Sequence, residues 1–435
     1  MQSWRVLHGV SEGAPGVTVD KFGGALVVQS WREPPTRDDV FDLCDAAFGG
    51  QLGFDDVHSV WVHPRAPARD SNRDWTRANG ANEGGEEREA SRSATAGVYR
   101  RASFRSDDGF ATDLSLGPDV YGRDLSNPEL GFVFSELNLA YGFVPPRRFG
   151  DPSLYLDFRP TRRWIASRVA ALRKKKDAPE GVSVLNAFAY TCGAGLAATA
   201  GGASRVLNTD HSATYLAYGA ENYRLNGFEA PSEPPTDPSR RAEAEGAEAE
   251  RRGFAERGDE TKTSVGAFAA YCEDFYPAVR QLAGLPMPGR QGRGGGRGAR
   301  GRGGARGRRG GRFRGGRETV SKKAKPPRPE TFDLVILDPP TLTKTAYGAV
   351  DIENDYQSLA KPCGLCVTPG GVLLATNHSH RVDLDDWLEI VERCVEKAGC
   401  SVTRVEVVAP DPDDDDHPAM SDGKRPLKVA AFTLE

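Results

Sequence analysis

ETFDLVILDPPTLTK, residues 330–344, is the stretch on which the reading of this chain turns. Phe332 to Leu337 is short and mostly apolar, holds no glycine or proline, and reads as a buried strand. It runs directly into Asp338-Pro339-Pro340, and proline cannot extend a sheet. A strand-ending turn accounts for these three residues taken alone, since Asp and Pro are ordinary turn residues. A ligand site also accounts for them, because ligands in open α/β sheets bind just beyond the carboxyl ends of the strands. The rest of the chain separates the two readings.

Working outward from that strand, the C-terminal half alternates strands with helices. Residues 182–188, 204–210, 265–274, 370–377, 401–410 and 427–435 read as further strands. Between them, 194–202, 212–227, 276–284, 355–366 and 384–399 read as helices, with Ser212 as an N-cap and Gly227 as a stop. This rhythm predicts an α/β fold with a doubly wound, mostly parallel seven-stranded sheet, its last two strands forming an antiparallel end. The domain expected over residues 151–435 is preceded by a smaller α+β domain over 1–150.

Three stretches do not suit a packed core. Residues 67–97 and 229–263 are polar, and 289–317 carries 11 Arg and 14 Gly with no acid. Segments of this kind bury too little apolar surface to offset the entropy of ordering, so they are expected to be disordered, the last within a wider insertion spanning 286–329. Roughly 330 residues remain, which suits two packed domains. The whole chain has a formal charge of −4, so outside the +11 of the Arg-Gly tract it carries −15. An acidic body with one basic arm suits a nucleic-acid partner held partly by the arm.

The seven cysteines, at 44, 192, 272, 363, 366, 394 and 400, do not form a disulfide framework, and a reducing, intracellular compartment is the default. Cys363-Gly-Leu-Cys366 has metal-like spacing but no second pair nearby, and core cysteines are the better reading; no metal is expected. No apolar run is long enough to span a membrane, and the first residues lack a basic-then-apolar signal. The expected location is cytoplasmic, or organellar if a leader is missing from this chain. Oligomeric state is not readable.

The polar chemistry gathers at strand ends. The first strand runs into NAFAYTCGAG, a loop whose Gly193 and Gly195 let backbone approach a ligand closely. It lacks the Gly-x-Gly-x-x-Gly spacing of a dinucleotide fingerprint, which argues against a dehydrogenase. The second strand ends in Asp210, placed to accept bonds from the two hydroxyls of a ribose. The third ends in Glu273-Asp274, placed to accept from an adenine amino group. Glycine loop, acid, acid and Asp-Pro-Pro at successive strand ends point to an adenosyl ligand.

This constellation resembles the class I S-adenosylmethionine-dependent methyltransferases, and within them the large-subunit ribosomal RNA methyltransferases of the cytosine-5 and guanine-N7 types. The resemblance is carried by SEGAPGVTVDKFGGALVVQ (11–29), LYLDFRPTRRW (154–164), VLNAFAYTCGAG, DHSATYLAYGAENYRLNG, LDPPTLTK and the late DHP at 416–418. It implies S-adenosylmethionine as cofactor and RNA, ribosomal above all, as substrate, with the Arg-Gly tract as an auxiliary RNA contact. It implies that Asp157, Arg159 and Arg162 lie over the cofactor and that Phe188, Tyr190, Thr191 and Gly193 line its methionine part. Asp210 would hold the ribose, Asp274 the adenine edge, and Asp338-Pro339-Pro340 would face the target base. The RNA-reading PUA module that usually precedes the cytosine type is not visible.

One departure bears on the chemistry. Methylation at cytosine carbon 5 needs a thiolate to add to the ring, and that type carries TCSCS after the fifth strand, where this chain has ATNHS, Ala375 to Ser379. The guanine-N7 type has an SNN stretch there, which Asn377 resembles. A nitrogen lone pair attacks a methyl directly, given in-line positioning and an acceptor for the departing proton, for which Asp338, Asn377 and His378 are the candidates. Thr341 follows the prolines, not the aromatic common among exocyclic-amine methylators. Cys192 is the one other thiol whose loop faces the cofactor. An RNA-binding or ribosome-assembly protein on a catalytically idle methyltransferase fold is the alternative.

Overall fold

The computed structural model describes residues 2–9, 16–30, 35–64, 97–100, 133–144, 152–175, 181–232, 262–286, 330–409 and 425–435. The Arg-Gly tract, most of 67–97 and 229–263, and the DHP at 416–418 lie outside the described residues.

The N-terminal part is a five-stranded sheet in the order β1-β2-β3-β4-β5: Ser3–Leu7, Val17–Phe22, Ala25–Ser30, Ser59–Pro64 and Gly97–Arg100. β3 and β4 are parallel and joined through helix α1, Arg37–Phe48. That helix starts in a capping box, in which the Thr36 hydroxyl accepts from the Asp39 amide at 3.2 Å and the Asp39 carboxylate accepts from the Thr36 amide at 2.9 Å. One sheet face packs Val19, Leu26, Val28, Val60 and Val62 on Val40 and Cys44 of α1.

The opposite face, with Phe22, Val27 and Trp61, meets a hairpin of β6, Val133–Glu136, and β7, Leu139–Gly142. Phe134 lies edge-on to Phe22 at 5.1 Å. The hairpin in turn is bound to α4, Ala213–Leu225. Asn222 accepts from the Gly142 amide at 2.9 Å, and Asn226 accepts from the Ala140 amide at 2.8 Å.

The larger sheet runs β10-β11-β9-β8-β12-β15-β17-β16. Its seven expected strands are present: β8 Ser183–Ala187, β9 Arg205–Asp210, β11 Phe268–Cys272, β12 Phe332–Leu337, β15 Val367–Asn377, β16 Val402–Val407 and β17 Lys428–Leu434. The five from β11 to β15 are parallel, and β17 and β16 close the sheet antiparallel. An eighth strand, β10, Lys262–Val265, adds antiparallel to the far edge of β11. Its first two residues fall in the stretch expected to be disordered. Pairing with a neighbour, which composition does not register, makes it a strand.

Among the described residues, five helices cover the two faces besides α4: α2 Arg159–Lys175, α3 Gly193–Ala200, α5 Phe275–Leu282, α6 Gln357–Gly364 and α7 Leu384–Glu396. β12 is buried over all six residues, and its Asp333 carboxylate accepts from the amide and hydroxyl of Ser183 on β8. A charge inside a sheet is tolerated when so bonded. Chain order reverses direction between β8 and β12, so the ligand crevice of this topology falls at their carboxyl ends. Among the described residues no helix is long and apolar enough to cross a membrane, and no group of three His, Cys, Asp or Glu is placed to hold a metal.

Candidate active site

At those strand ends lies a cleft of about 550 Å³. Asp157, Phe188, Tyr190, Asp210, Asp274, Asp338, Pro339, Pro340 and His378, all expected at a site, line it together. The strand-end acids converge because parallel strands in register bring every carboxyl end to one edge of the sheet.

The loop after β8 is held in an uncommon conformation. Phe188, Tyr190 and Cys192 all have left-handed backbone, with φ of 59°, 50° and 59°. Non-glycine residues pay on the order of 1 kcal/mol each for this, so surrounding contacts must impose it. The Ala189 amide donates to the Thr209 carbonyl at 2.9 Å, the Thr191 hydroxyl donates to the Ser153 carbonyl at 2.9 Å, and Asn222 donates to the Thr191 carbonyl at 3.0 Å. The Tyr190 amide is thereby aimed at Asp210, donating to Oδ2 at 2.9 Å, while the Ser212 amide donates to Oδ1 at 2.8 Å. Burial pushes the Asp210 carboxyl up, and His211 and these amides pull it back. His211 Nδ1 lies 3.4 Å from Oδ1, and Asp210 lines the cleft.

On the adjoining strand end, Asp274 caps α5 by accepting from the Tyr276 amide at 3.1 Å, and Glu273 accepts from the Asp274 amide at 2.9 Å. Phe275 stacks on Phe188 with ring centroids 4.5 Å apart and planes 15° from parallel.

At the other end, Asp338 follows β12 and receives the Thr376 hydroxyl of β15 at 2.5 Å. Burial pushes its carboxyl up to about 6; the Thr376 hydroxyl opposes this and the nearby charge of Asp157 adds to it. His378 Nε2 lies 2.6 Å from Thr341 Oγ1, bridging the ends of β12 and β15. Burial pushes the imidazole down, so it is neutral at neutral pH. Beyond the prolines, a hairpin of β13, Leu342–Thr345, and β14, Gly348–Asp351, brings Thr343, Lys344 and Thr345 to the cleft wall. Tyr155, Tyr215 and this hairpin carry no strand-end signature and were not legible in the sequence.

Among the described residues, five carboxylates line the cleft, those of Asp157, Asp210, Glu273, Asp274 and Asp338, against the single obligate cation Lys344. Such a lining favours a cationic ligand and disfavours a phosphate. A sulfonium suits a lining of this charge, on which Asp210 and Asp274 are hydrogen-bond acceptors.

Residues 140–232 match the family model described as S-adenosylmethionine-dependent methyltransferase. That match runs from the β6–β7 hairpin through α4, so this segment is similar to the methyltransferase family. It is 34% identical over 275 residues to a ribosomal RNA large subunit methyltransferase K/L of Psychrobacter cryohalolentis, covering 62% of this chain and 24% of the relative. It is 25% identical over 241 residues to the protein of the same name from Marinobacter nauticus, covering 55% and 21%. The chain thus spans about a quarter of the length of these curated relatives. A SAM-dependent methyltransferase structure from Streptococcus mutans superposes over 99% of this chain and 75% of its own, at 13% identity and a TM-score of 0.51, which shows the fold.

Five of the residues expected at the site do not line the cleft. Arg159 and Arg162 turn away to Glu136 of the β6–β7 hairpin. Arg162 Nε donates to Oε1 at 2.6 Å, and Arg159 Nε to Oε2 at 3.0 Å. A guanidinium as buried as Arg162 needs that counter-charge more than a solvated ligand does. Thr191 spends its hydroxyl on Ser153, and Gly193 is buried at the start of α3, with Leu154 against its open face. Asn377 is fully buried: its amide donates to the Ile352 carbonyl at 3.0 Å and its oxygen accepts from the Ser379 amide at 2.9 Å. Side chains alternate along β15, so the face that turns Thr376 to Asp338 and leads on to His378 in the cleft turns Asn377 away.

Cys192 also departs from expectation. Its thiol is fully buried against Gly219 of α4, where an added Cβ would sit 2.2 Å from Sγ. Burial pushes the thiol well above its ordinary value, and it does not face the cleft. Cys363 and Cys366 are buried in the core beneath the sheet, as expected, and burial pushes the Cys366 thiol up to about 12.

Proposed function

We propose that this chain transfers a methyl group from S-adenosylmethionine to a nitrogen of a base in ribosomal RNA. The observation that carries this reading is the pairing of an acceptor with the absence of a nucleophile. Asp338 sits at the end of β12 with its carboxyl pushed up to about 6, and none of the seven cysteines lines the cleft. A cytosine-5 reaction needs a thiolate there. A nitrogen acceptor needs only orientation and a proton acceptor.

When bound, the cofactor supplies an electrophilic methyl on a sulfonium. Asp210 accepts from the ribose hydroxyls, and Asp274 with Glu273 accepts from the adenine amino group. Phe275 gives that end an apolar floor, and Phe188, stacked on it, continues the floor toward the methionine part. Asp338 accepts an N–H of the target base and fixes its orientation; where the methylated nitrogen itself carries a hydrogen, Asp338 takes the proton released, and where it is a ring nitrogen with only a lone pair, no proton leaves. Pro339 and Pro340 hold the backbone rigid beneath the base. Neutral His378, tied to Thr341, donates to or accepts from the base edge.

Ribosomal RNA as substrate is supported by the relatives, which are named for it. The Arg-Gly tract 289–317 acts as an auxiliary phosphate contact, which an acid-lined cleft requires from outside itself. All seven cysteines are free, which suits an intracellular, reducing compartment. The test is mass mapping of modified nucleosides in ribosomal RNA treated with the full chain or with Asp338→Asn. One methylated nitrogen position that needs Asp338 supports the reading. A 5-methylcytosine, or no modification at all, sinks it.

A further inference from the structure

Tyr155 is the one exposed aromatic side chain among the described residues, with 45% of its surface open, and it stands in the cleft wall. The other large rings of the described residues are at least partly covered. A solvent-facing ring at the edge of a polar cleft is a recognition surface in waiting, since it offers apolar area at small rotamer cost.

Its position is fixed from two sides. Arg162 Nη2 donates to the Tyr155 carbonyl at 3.0 Å while the same guanidinium is clamped by Glu136 at 2.6 and 2.9 Å. The Tyr190 ring lies 5.6 Å from that of Tyr155, and the Tyr215 ring lies 4.4 Å beyond. Tyr190 is thus the middle ring of three along one wall, and its amide donates to Asp210. Tyr155 is the most exposed of the three.

We infer that Tyr155 is a stacking platform for an unpaired nucleobase of the substrate strand, adjacent to the base held at Asp338. The inference rests on the RNA reading above and adds to it how the strand is gripped. Five carboxylates disfavour phosphates along this cleft. A strand entering it must then be held through its bases on this side, and a tyrosine ring stacks with any base. Tyr155 and Asp157, two residues along, line the same cleft as Asp338 and His378, so the segment that carries Tyr155 borders the space in front of Asp338. A base can lie on the ring only if unpaired or turned out of a helix, so the platform selects single-stranded or extruded nucleotides over duplex.

The test uses the full chain, Tyr155→Ala and Tyr155→Phe. Each is titrated with a single-stranded RNA carrying 2-aminopurine, with the same RNA annealed into a duplex, and with S-adenosylhomocysteine. The expected result is quenched 2-aminopurine on the wild-type chain with the single strand and not the duplex. Tyr155→Ala should lose about tenfold in single-strand affinity. Tyr155→Phe should stay within about twofold of wild type, and S-adenosylhomocysteine affinity should be the same in all three. Unchanged RNA affinity in Tyr155→Ala, while the wild type methylates ribosomal RNA, overturns the platform alone. So does a loss confined to S-adenosylhomocysteine, or a Tyr155→Phe as weak as Tyr155→Ala, which would assign the effect to the hydroxyl. A wild-type chain that binds S-adenosylhomocysteine but neither binds nor methylates RNA overturns the RNA reading and the platform together.

Discussion

The hydroxyl of Thr376 donates to the carboxylate of Asp338 at 2.5 Å, tying the carboxyl ends of β15 and β12 together at the floor of the cleft. This bond favours the ionised acid, while burial favours the neutral one and dominates, leaving the carboxyl at about 6. Methyl transfer to a base N–H needs the ionised form, so the rate should fall as pH drops through about 6. Thr376→Val removes the opposing donor, so the acid limb should move to higher pH in single-turnover rates. An unmoved limb would show that Asp338 does not set it.

Asp338→Asn should lower the methylation rate by about 10²- to 10⁴-fold, the usual worth of a positioned proton acceptor. Its effect on folding should have the opposite sign. An aspartate ordinarily ionises near 4, and here the folded chain prefers the neutral acid, so stability is lost as pH rises from about 4 through 6. At pH 8 the Asn variant should therefore be as stable as wild type or more so, by about 1–2 kcal/mol. Urea unfolding at pH 4 and pH 8 checks this: the two proteins should differ at the higher pH and converge at the lower.

Asp210→Ala should weaken S-adenosylmethionine binding about tenfold or more, since one lost buried partner of a hydroxyl pair costs ~1–3 kcal/mol. The variant also leaves the Tyr190 and Ser212 amides without their acceptor, which should loosen the left-handed loop. Titration calorimetry with S-adenosylmethionine reads the affinity directly; an unchanged value would displace the ribose anchor from this strand end.

No covalent protein–RNA intermediate should form. Ribosomal RNA carrying 5-fluorocytosine traps enzymes that add a thiolate to the ring. Here the thiol of Cys192 is packed against Gly219 and pushed up by burial. Denaturing gels should show no retained adduct, and Cys192→Ala should methylate as wild type does. A stable adduct lost in Cys192→Ala would reverse the assignment to nitrogen.

Glu136→Ala should destabilise the chain by about 3–5 kcal/mol, because it strands the buried Arg162 guanidinium without counter-charge. Arg159 is affected as well. It bonds both Glu136 and the Ser3 carbonyl of β1, so the cluster joins the N-terminal sheet to the segment carrying Tyr155 and Asp157. Chemical denaturation gives the magnitude. A loss under about 1 kcal/mol would mean that the pair contributes little to this junction.

Deleting 289–317 should flatten the salt dependence of RNA binding and leave cofactor affinity alone. The wider insertion leaves the described chain after residue 286 and rejoins it at Glu330, whose amide bonds the Leu282 carbonyl at the amino end of β12. Asp338 lies at the other end of that strand. Free arginines near phosphates release counterions, so binding isotherms across salt concentrations measure their share. Lost S-adenosylmethionine binding on deletion would contradict this placement.

The sequence by itself determined the sheet and its polar edge. Buried parallel strands are written as short apolar runs, and each run here ends in a residue that cannot continue it: Asp210, Glu273-Asp274, Asp338-Pro339-Pro340. Once the strands lie parallel, those ends must meet, so the acids of the cleft were legible locally. Direction and pairing were not. Asn377 and His378 are neighbours in the chain, yet the period-2 alternation of β15 sends one into the packing under Ile352 and the other into the cleft. Arg159 and Arg162 share a segment with Asp157, but the hairpin carrying Glu136 claims both guanidiniums. Cys192 sits in the loop after β8, and its left-handed backbone turns the thiol against α4. Tyr155 has no local signature, because exposure depends on what fails to cover a residue. Each of these outcomes depends on a partner far along the chain, and only the folded structure brings such partners together.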